Sequence, residues 1–106
     1  MTSFDQRENA FEAEFAHRDE LAFKVRQRAI RLLALWAAER LGKPGQAGQA
    51  YVQDIVAIDI ASPTPDVALG RIVADLSARG VSEQDVRRMM DQFLAQAHAS
   101  LRHRVS

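Results

Sequence analysis

The first 41 residues contain neither glycine nor proline, the two residues that most often interrupt a helix. Ser3 with Gln6 three positions later forms a capping-box pattern. Gly42 followed by Pro44 is a typical stop signal. The stretch therefore predicts one helix over about residues 4–41, about 57 Å long at 1.5 Å per residue. The rest of the chain has to supply the helices that pack against it.

Three shorter helices are predicted after this stretch. The second covers about residues 47–61, and the third follows Thr64 as its N-cap and ends at Gly80. Ser82 is expected to cap the fourth helix, about residues 83–103, and apolar residues recur at helical spacing in all three. We expect an all-α fold, namely a small four-helix bundle with an N-terminal arm that is helical or disordered.

The predicted helix lengths do not match. The fourth helix is only about 32 Å long, so the last three helices cannot cover the whole of the first. The second half of the long helix carries a wide apolar face, formed by Val25, Ala29, Leu32, Leu33 and Trp36. Its first half offers only Phe4, Phe11 and Phe15, within an arc of about 40°. By elimination, we predict an interaction arm at residues 1–18 and the bundle domain at residues 19–106.

The composition excludes several classes of protein. The chain has no cysteine, which removes disulfides and thiolate metal sites. No stretch approaches the roughly 20 apolar residues of a membrane span. The acidic N-terminus lacks the layout of a signal peptide. We therefore expect a cytoplasmic protein without a membrane span.

The charge is balanced overall but unevenly distributed. Residues 1–20 hold six acids against two bases, a net charge of −4, whereas residues 21–43 hold six bases against one acid, a net charge of +5. A nucleic-acid-binding domain normally has a basic balance, so the zero net charge argues against that class. The pattern suits an acidic arm, residues 1–20, joined to a basic segment, residues 21–43. A solvated helix of mixed charge would show the same pattern.

The sequence contains no catalytic constellation, and we expect neither an enzyme nor a bound cofactor or metal. There is no glycine-rich phosphate loop and no paired-histidine metal motif. His98 and His103 are five residues apart, which is the wrong spacing for one helix face, so we expect both to have a solvated role. Weak contact with a nucleotide or another anion at Lys24, Arg28 and Arg31 remains an alternative.

The N-terminal half of the chain resembles a known family, the zeta subunit inhibitors of the bacterial F-type ATP synthase. The resemblance is specific over residues 1–42 and rests on Phe4-Asp5-x-Arg7-Glu8, Phe15-Ala16, Glu20-Leu21-x-Phe23-Lys24, Leu35-Trp36-Ala37-Ala38 and Leu41-Gly42. From residue 43 onward it is carried by the helix layout and by fragments such as Gly80-Val81-Ser82.

The resemblance implies a four-helix bundle that inhibits ATP hydrolysis by the catalytic head. The N-terminal segment is implied to enter an interface between alpha and beta subunits, close to the gamma subunit of the central stalk, and to fold there as a helix. The bundle is implied to stay outside and anchor it. The resemblance assigns six residues to the inhibitory arm, namely Phe4, Asp5, Arg7, Glu8, Phe11 and Phe15.

A second hypothesis is a general helical interaction module. In it the phenylalanine seam, formed by Phe4, Phe11 and Phe15, pairs with the same seam of another copy of the chain. We expect instead a monomer when the protein is free, with the seam reserved for another protein. An amphipathic seam of this kind docks by the helix-in-groove mode, with Phe4, Phe11 and Phe15 as the anchors.

Overall fold

The structure is a computed structural model that describes the backbone of residues 2–105 and the side chains of residues 20–101. The described backbone forms four α-helices and no strand. They are α1 (Thr2–Arg40), α2 (Gly45–Ile60), α3 (Asp66–Ser77) and α4 (Glu83–Val105). The predicted all-α class and four-helix layout are confirmed.

The four helices differ greatly in length. At 1.5 Å per residue α1 is about 58 Å long, whereas α4, the next longest, is about 35 Å. The long dimension of the molecule is 63 Å and the other two are 27 and 25 Å, so α1 spans nearly the whole length. Short links join the helices in an antiparallel arrangement. Helix α1 contacts all three of the others, as does α3.

Two glycines end their helices as the sequence predicts. Gly42 and Gly80 take the left-handed backbone with φ of 69° and 81°. In each case the next residue donates its N–H back to a carbonyl in the last turn: Lys43 to Ala38 at 3.0 Å, and Val81 to Leu76 at 3.1 Å. These bonds satisfy carbonyls that would otherwise lack partners, so both helices stop sharply.

The start of α4 is as predicted, whereas the starts of α2 and α3 are not. The Ser82 hydroxyl accepts a hydrogen bond from the Asp85 N–H at 3.1 Å, which confirms the cap. Helix α2 begins at Gly45 rather than near residue 47. Thr64 is not the N-cap of α3; Pro65 is, and it makes no side-chain cap bond. The reason is that the Pro65 carbonyl accepts the first hydrogen bond of the helix, from the Leu69 N–H at 3.0 Å.

The core lies between the second half of α1 and the three shorter helices. Of the five α1 residues predicted to be core, Val25, Ala29 and Leu33 are buried, whereas Leu32 and Trp36 are only half-buried. Several other α1 residues are also buried, namely Ile30, Ala34, Ala37 and Ala38. The alanines let the neighbouring helices approach α1 closely, so a wide face of the helix is covered. The other helices contribute Tyr51, Val52, Ile55, Ala68, Leu69, Ile72, Leu76, Val86, Met90 and Ala97.

Candidate functional site

The three basic residues predicted as anion contacts lie in one groove. Lys24, Arg28 and Arg31 follow one another at spacings of four and three on the same side of α1. They line an open groove of about 320 Å³. We call this the basic groove, and its lining residues are Phe23, Lys24, Gln27, Arg28, Arg31, Val56 and Leu101. The structure thus brings the three cations together, with apolar side chains from α1, α2 and α4.

The cations of the basic groove differ from bases elsewhere in the bundle. On α3 and α4, three exposed arginines each lie within 4 Å of a carboxylate one turn away, in the pairs Arg71–Asp75, Arg87–Glu83 and Arg88–Asp85. Among the side chains that the structure describes, none of Lys24, Arg28 and Arg31 has such a partner. The basic groove is therefore a concentration of positive charge that the described bundle does not neutralise.

Apolar surface is exposed in the same region. Phe23 at the basic groove is 52% exposed, a large fraction for an aromatic side chain. Ile60 and Val67, on either side of the α2–α3 link, are also exposed. Arg26 of α1 reaches this link, donating from Nη1 to the Pro63 carbonyl at 3.4 Å. The end of the bundle nearest the N-terminal part of α1 therefore presents both apolar and basic groups.

Burial along one stripe of α1 stops close to the basic groove. Positions 22, 25, 29, 33 and 36 follow one another at helical spacing and form what we call the core-facing stripe. Ala29 and Leu33 are fully buried and Val25 is 8% exposed, but Ala22 is exposed. Leu21, one turn before Val25, is only partly buried against the core, so burial of this side of α1 declines between residues 25 and 21.

A buried carboxylate joins α1 to the end of α2. The Asp59 side chain is fully buried, and its Oδ2 accepts hydrogen bonds from Gln27 Nε2 at 2.6 Å and Arg26 Nε at 3.3 Å. Its Oδ1 has no hydrogen-bond partner in the described part of the chain. A buried charge is tolerated when it is paired and hydrogen-bonded, so Arg26 and Gln27 are needed to hold Asp59 inside.

Arg26 also binds the backbone at the end of α2. Its Nη2 donates to the carbonyls of Asp59 at 3.1 Å and Ser62 at 3.2 Å. A cation at a helix C-terminus interacts favourably with the helix dipole and satisfies carbonyls without a helical partner. Arg26 thereby fixes α1 to the α2–α3 link next to Val25, close to the point where burial of the core-facing stripe declines.

A second polar cluster lies on α2 and α3, reaching the opposite end of the bundle. The hydroxyl of Tyr51 donates to Asp75 Oδ2 at 2.9 Å, and Arg71 Nε donates to the same oxygen at 3.0 Å. Burial, together with the hydrogen bond to Asp75, raises the pKa of the Tyr51 hydroxyl. Tyr51 therefore remains a neutral donor over the physiological pH range, and this cluster is best explained as a structural link between α2 and α3.

Sequence reasoning missed the Asp59 cluster and found only part of the basic groove. Asp59 is one of several scattered acids, and its neighbours in sequence do not show that it faces two donors 32 and 33 residues away. Val56 and Leu101 line the groove from different helices, which periodicity within one helix does not reveal. His98 is exposed, in agreement with a solvated role.

The six predicted residues of the inhibitory arm (Phe4, Asp5, Arg7, Glu8, Phe11 and Phe15) have side chains outside the described residues. Their positions fall on the N-terminal part of α1, which begins at Thr2. His103, the second predicted solvated histidine, also lies outside the described side chains. The division at residue 18 stays a prediction.

Four helices, one of them much longer than the three that pack against it, define a class of small all-α protein. Within this class, residues 1–100 match the family model of ATPase inhibitor subunit zeta. The chain belongs to that family, and the resemblance seen over residues 1–42 is confirmed. The family is one of inhibitor subunits associated with ATP synthase, which is a regulatory role.

The comparisons with curated proteins and with solved structures each give no match. In the part of the chain that the structure describes, no helix has the length and apolar character needed to cross a membrane.

Proposed function

We propose that this protein inhibits ATP hydrolysis by the catalytic head of an F-type ATP synthase through residues 1–18. In this proposal the inhibitory arm enters an interface between alpha and beta subunits near the gamma subunit of the central stalk. Residues 19–106 form the bundle that holds the arm in place outside. The membership of the ATPase inhibitor subunit zeta family supports the overall role.

The observation that carries the proposed division is the limit of burial along the core-facing stripe. Val25 and Ala29 are covered by the bundle, whereas Ala22 is exposed on the same stripe. Leu101 of α4 lines the same groove as Phe23, and α4 ends at Val105, only about one turn later. Helix α4 is therefore too short to run beside the first half of α1.

The chemistry of the arm fits docking into a protein groove. Burial of each phenylalanine contributes roughly 1.5–3 kcal/mol, whereas ordering the backbone opposes binding by about 1–2 kcal/mol per residue. A preformed helix reduces that entropic penalty, and α1 is helical from Thr2 onward. The affinity then depends on Phe4, Phe11 and Phe15, with the arm's net negative charge assisting approach to basic surface.

The test measures ATP hydrolysis by a cognate catalytic head against increasing concentrations of the full chain. Replacing Phe4, Phe11 and Phe15 together by alanine should abolish inhibition, because it removes the anchors of the arm. The control replaces Asn9 by alanine on the opposite side of the helix and should inhibit like the wild type. Full inhibition by the phenylalanine variant, or none by the wild-type chain, would contradict the proposal.

A further inference from the structure

We propose that the basic groove is a second contact site for the protein that receives the inhibitory arm, and that it takes an acidic segment bearing an apolar side chain. This inference rests on the proposed function, because it assumes that the arm has such a partner. The groove begins at Phe23, only five residues after the end of the arm. A partner that surrounds residues 1–18 meets this end of the bundle next along the same helix.

The charge of the groove indicates the acidic part of the occupant. Like charges one turn apart on a helix are destabilising, and Lys24, Arg28 and Arg31 form two such steps. Unlike Arg71, Arg87 and Arg88, they have no carboxylate within 4 Å among the described side chains. A partner's carboxylates would supply the missing counter-charge, and in doing so would speed association and fix the orientation of the bundle.

The apolar side chains that line the basic groove indicate that the occupant is not a simple anion. Phe23 is largely exposed, and Val56 and Leu101 are half-buried around the same groove. Phosphate or another small anion would satisfy the cations but would leave this apolar surface in water. At about 320 Å³ the groove has room for an apolar side chain of the partner, with acidic neighbours facing the three cations.

The experiment compares full-length variants for inhibition of ATP hydrolysis by a cognate catalytic head at low and high salt. The groove variant carries Lys24→Gln, Arg28→Gln and Arg31→Gln. The matched control carries Arg71→Gln, Arg87→Gln and Arg88→Gln, which removes the same charge from exposed, paired positions. At low salt we expect the half-inhibitory concentration to rise about tenfold for the groove variant. Maximal inhibition should persist, and the control should stay within about twofold of the wild type.

A second pair of variants tests the apolar half of the site. Phe23→Ala should also raise the half-inhibitory concentration, because the partner's apolar side chain loses its main contact. The control is Leu35→Ala, which removes the other exposed large apolar side chain among residues 20–40, 47% exposed, and should leave inhibition unchanged. If the cation substitutions weaken inhibition and Phe23→Ala does not, the site binds an anion and the proposed occupant is wrong.

The outcomes separate this inference from the proposed function. If the wild type does not inhibit, or the arm variant lacking Phe4, Phe11 and Phe15 still does, the proposed function has failed. If the arm variant loses inhibition but the groove variant matches the wild type, only the second contact is refuted. Equal losses in the groove variant and in its charge-matched control would also overturn it, because net charge alone would explain both.

Discussion

The two halves of α1 belong to one helix but differ in what covers them. From Val25 onward the helix is packed on several sides, with Ile30 and Leu33 fully buried. Before that point the core-facing stripe reaches Ala22, which is exposed. A continuous helix therefore does not imply a continuous core: the second half of α1 is stabilised by tertiary packing, and we propose that the first half is left for a partner.

The sequence positions make this comparison unusually direct. Phe11 and Ala29 are 18 residues apart, as are Phe15 and Leu33, and 18 residues are five full turns of an α-helix. In a continuous helix, each pair of positions therefore lies on the same face. Leu33 lies where α2, α3 and α4 cover α1, and the proposed division places Phe15 beyond that cover.

The pair Leu33→Ala and Phe15→Ala should therefore give the largest contrast. Leu33 is fully buried, so its truncation should lower the free energy of unfolding by about 3–4 kcal/mol through lost burial and a cavity. Phe15→Ala should change it by less than about 0.5 kcal/mol, the usual range at sites without packing. Urea unfolding followed by the fluorescence of Trp36, the only tryptophan, measures both. Comparable losses for the two variants would erase the distinction between the halves.

A smaller effect is expected at the point where the covered half of α1 begins. Arg26→Met keeps much of the side-chain length but leaves the buried carboxylate of Asp59 with only the Gln27 donor. We expect a loss of about 2–3 kcal/mol in the free energy of unfolding, below the usual range for a broken buried pair because Arg26 is partly exposed and Gln27 remains.

The double variant Arg26→Met with Asp59→Leu controls for this interpretation. Replacing both charges by apolar groups should recover a large part of the stability, since no buried charge is then left unpaired. If the double variant is less stable than the single one, the packing of these side chains matters more than their charge.

Much of the fold follows from local signals in the sequence. The helix ends at Gly42 and Gly80 and the cap at Ser82 depend on a few adjacent residues, and all three are confirmed. The predicted N-cap of α3 was wrong by one residue because the carbonyl of Pro65 accepts the first helical hydrogen bond, which the Thr64 cap pattern does not reveal. Local chemistry is therefore a good guide to where helices stop and a poorer guide to where they start.

The site is less accessible to sequence reasoning because it depends on how the helices are placed against one another. The sequence named Lys24, Arg28 and Arg31 as a possible anion contact because they belong to the basic segment of residues 21–43, and in the structure they line one groove. Val56 and Leu101 line the groove, and Asp59 is buried, only because α2 and α4 pack against α1. Patterns within a single helix do not reveal this packing. The lengths of the helices, by contrast, were predicted from the sequence. They predicted that the three shorter helices would not cover the whole of α1.

Hydrogen exchange along α1 tests the central claim most directly, with and without a cognate catalytic head. In the free protein we expect strong protection of the backbone amides of residues 26–38 and weak protection of residues 2–18, because only the former are held by tertiary packing. Adding the head should raise protection in residues 2–18 and leave residues 26–38 unchanged. Equal protection of both halves in the free protein, or no gain in residues 2–18 on adding a head that the chain inhibits, would contradict the account.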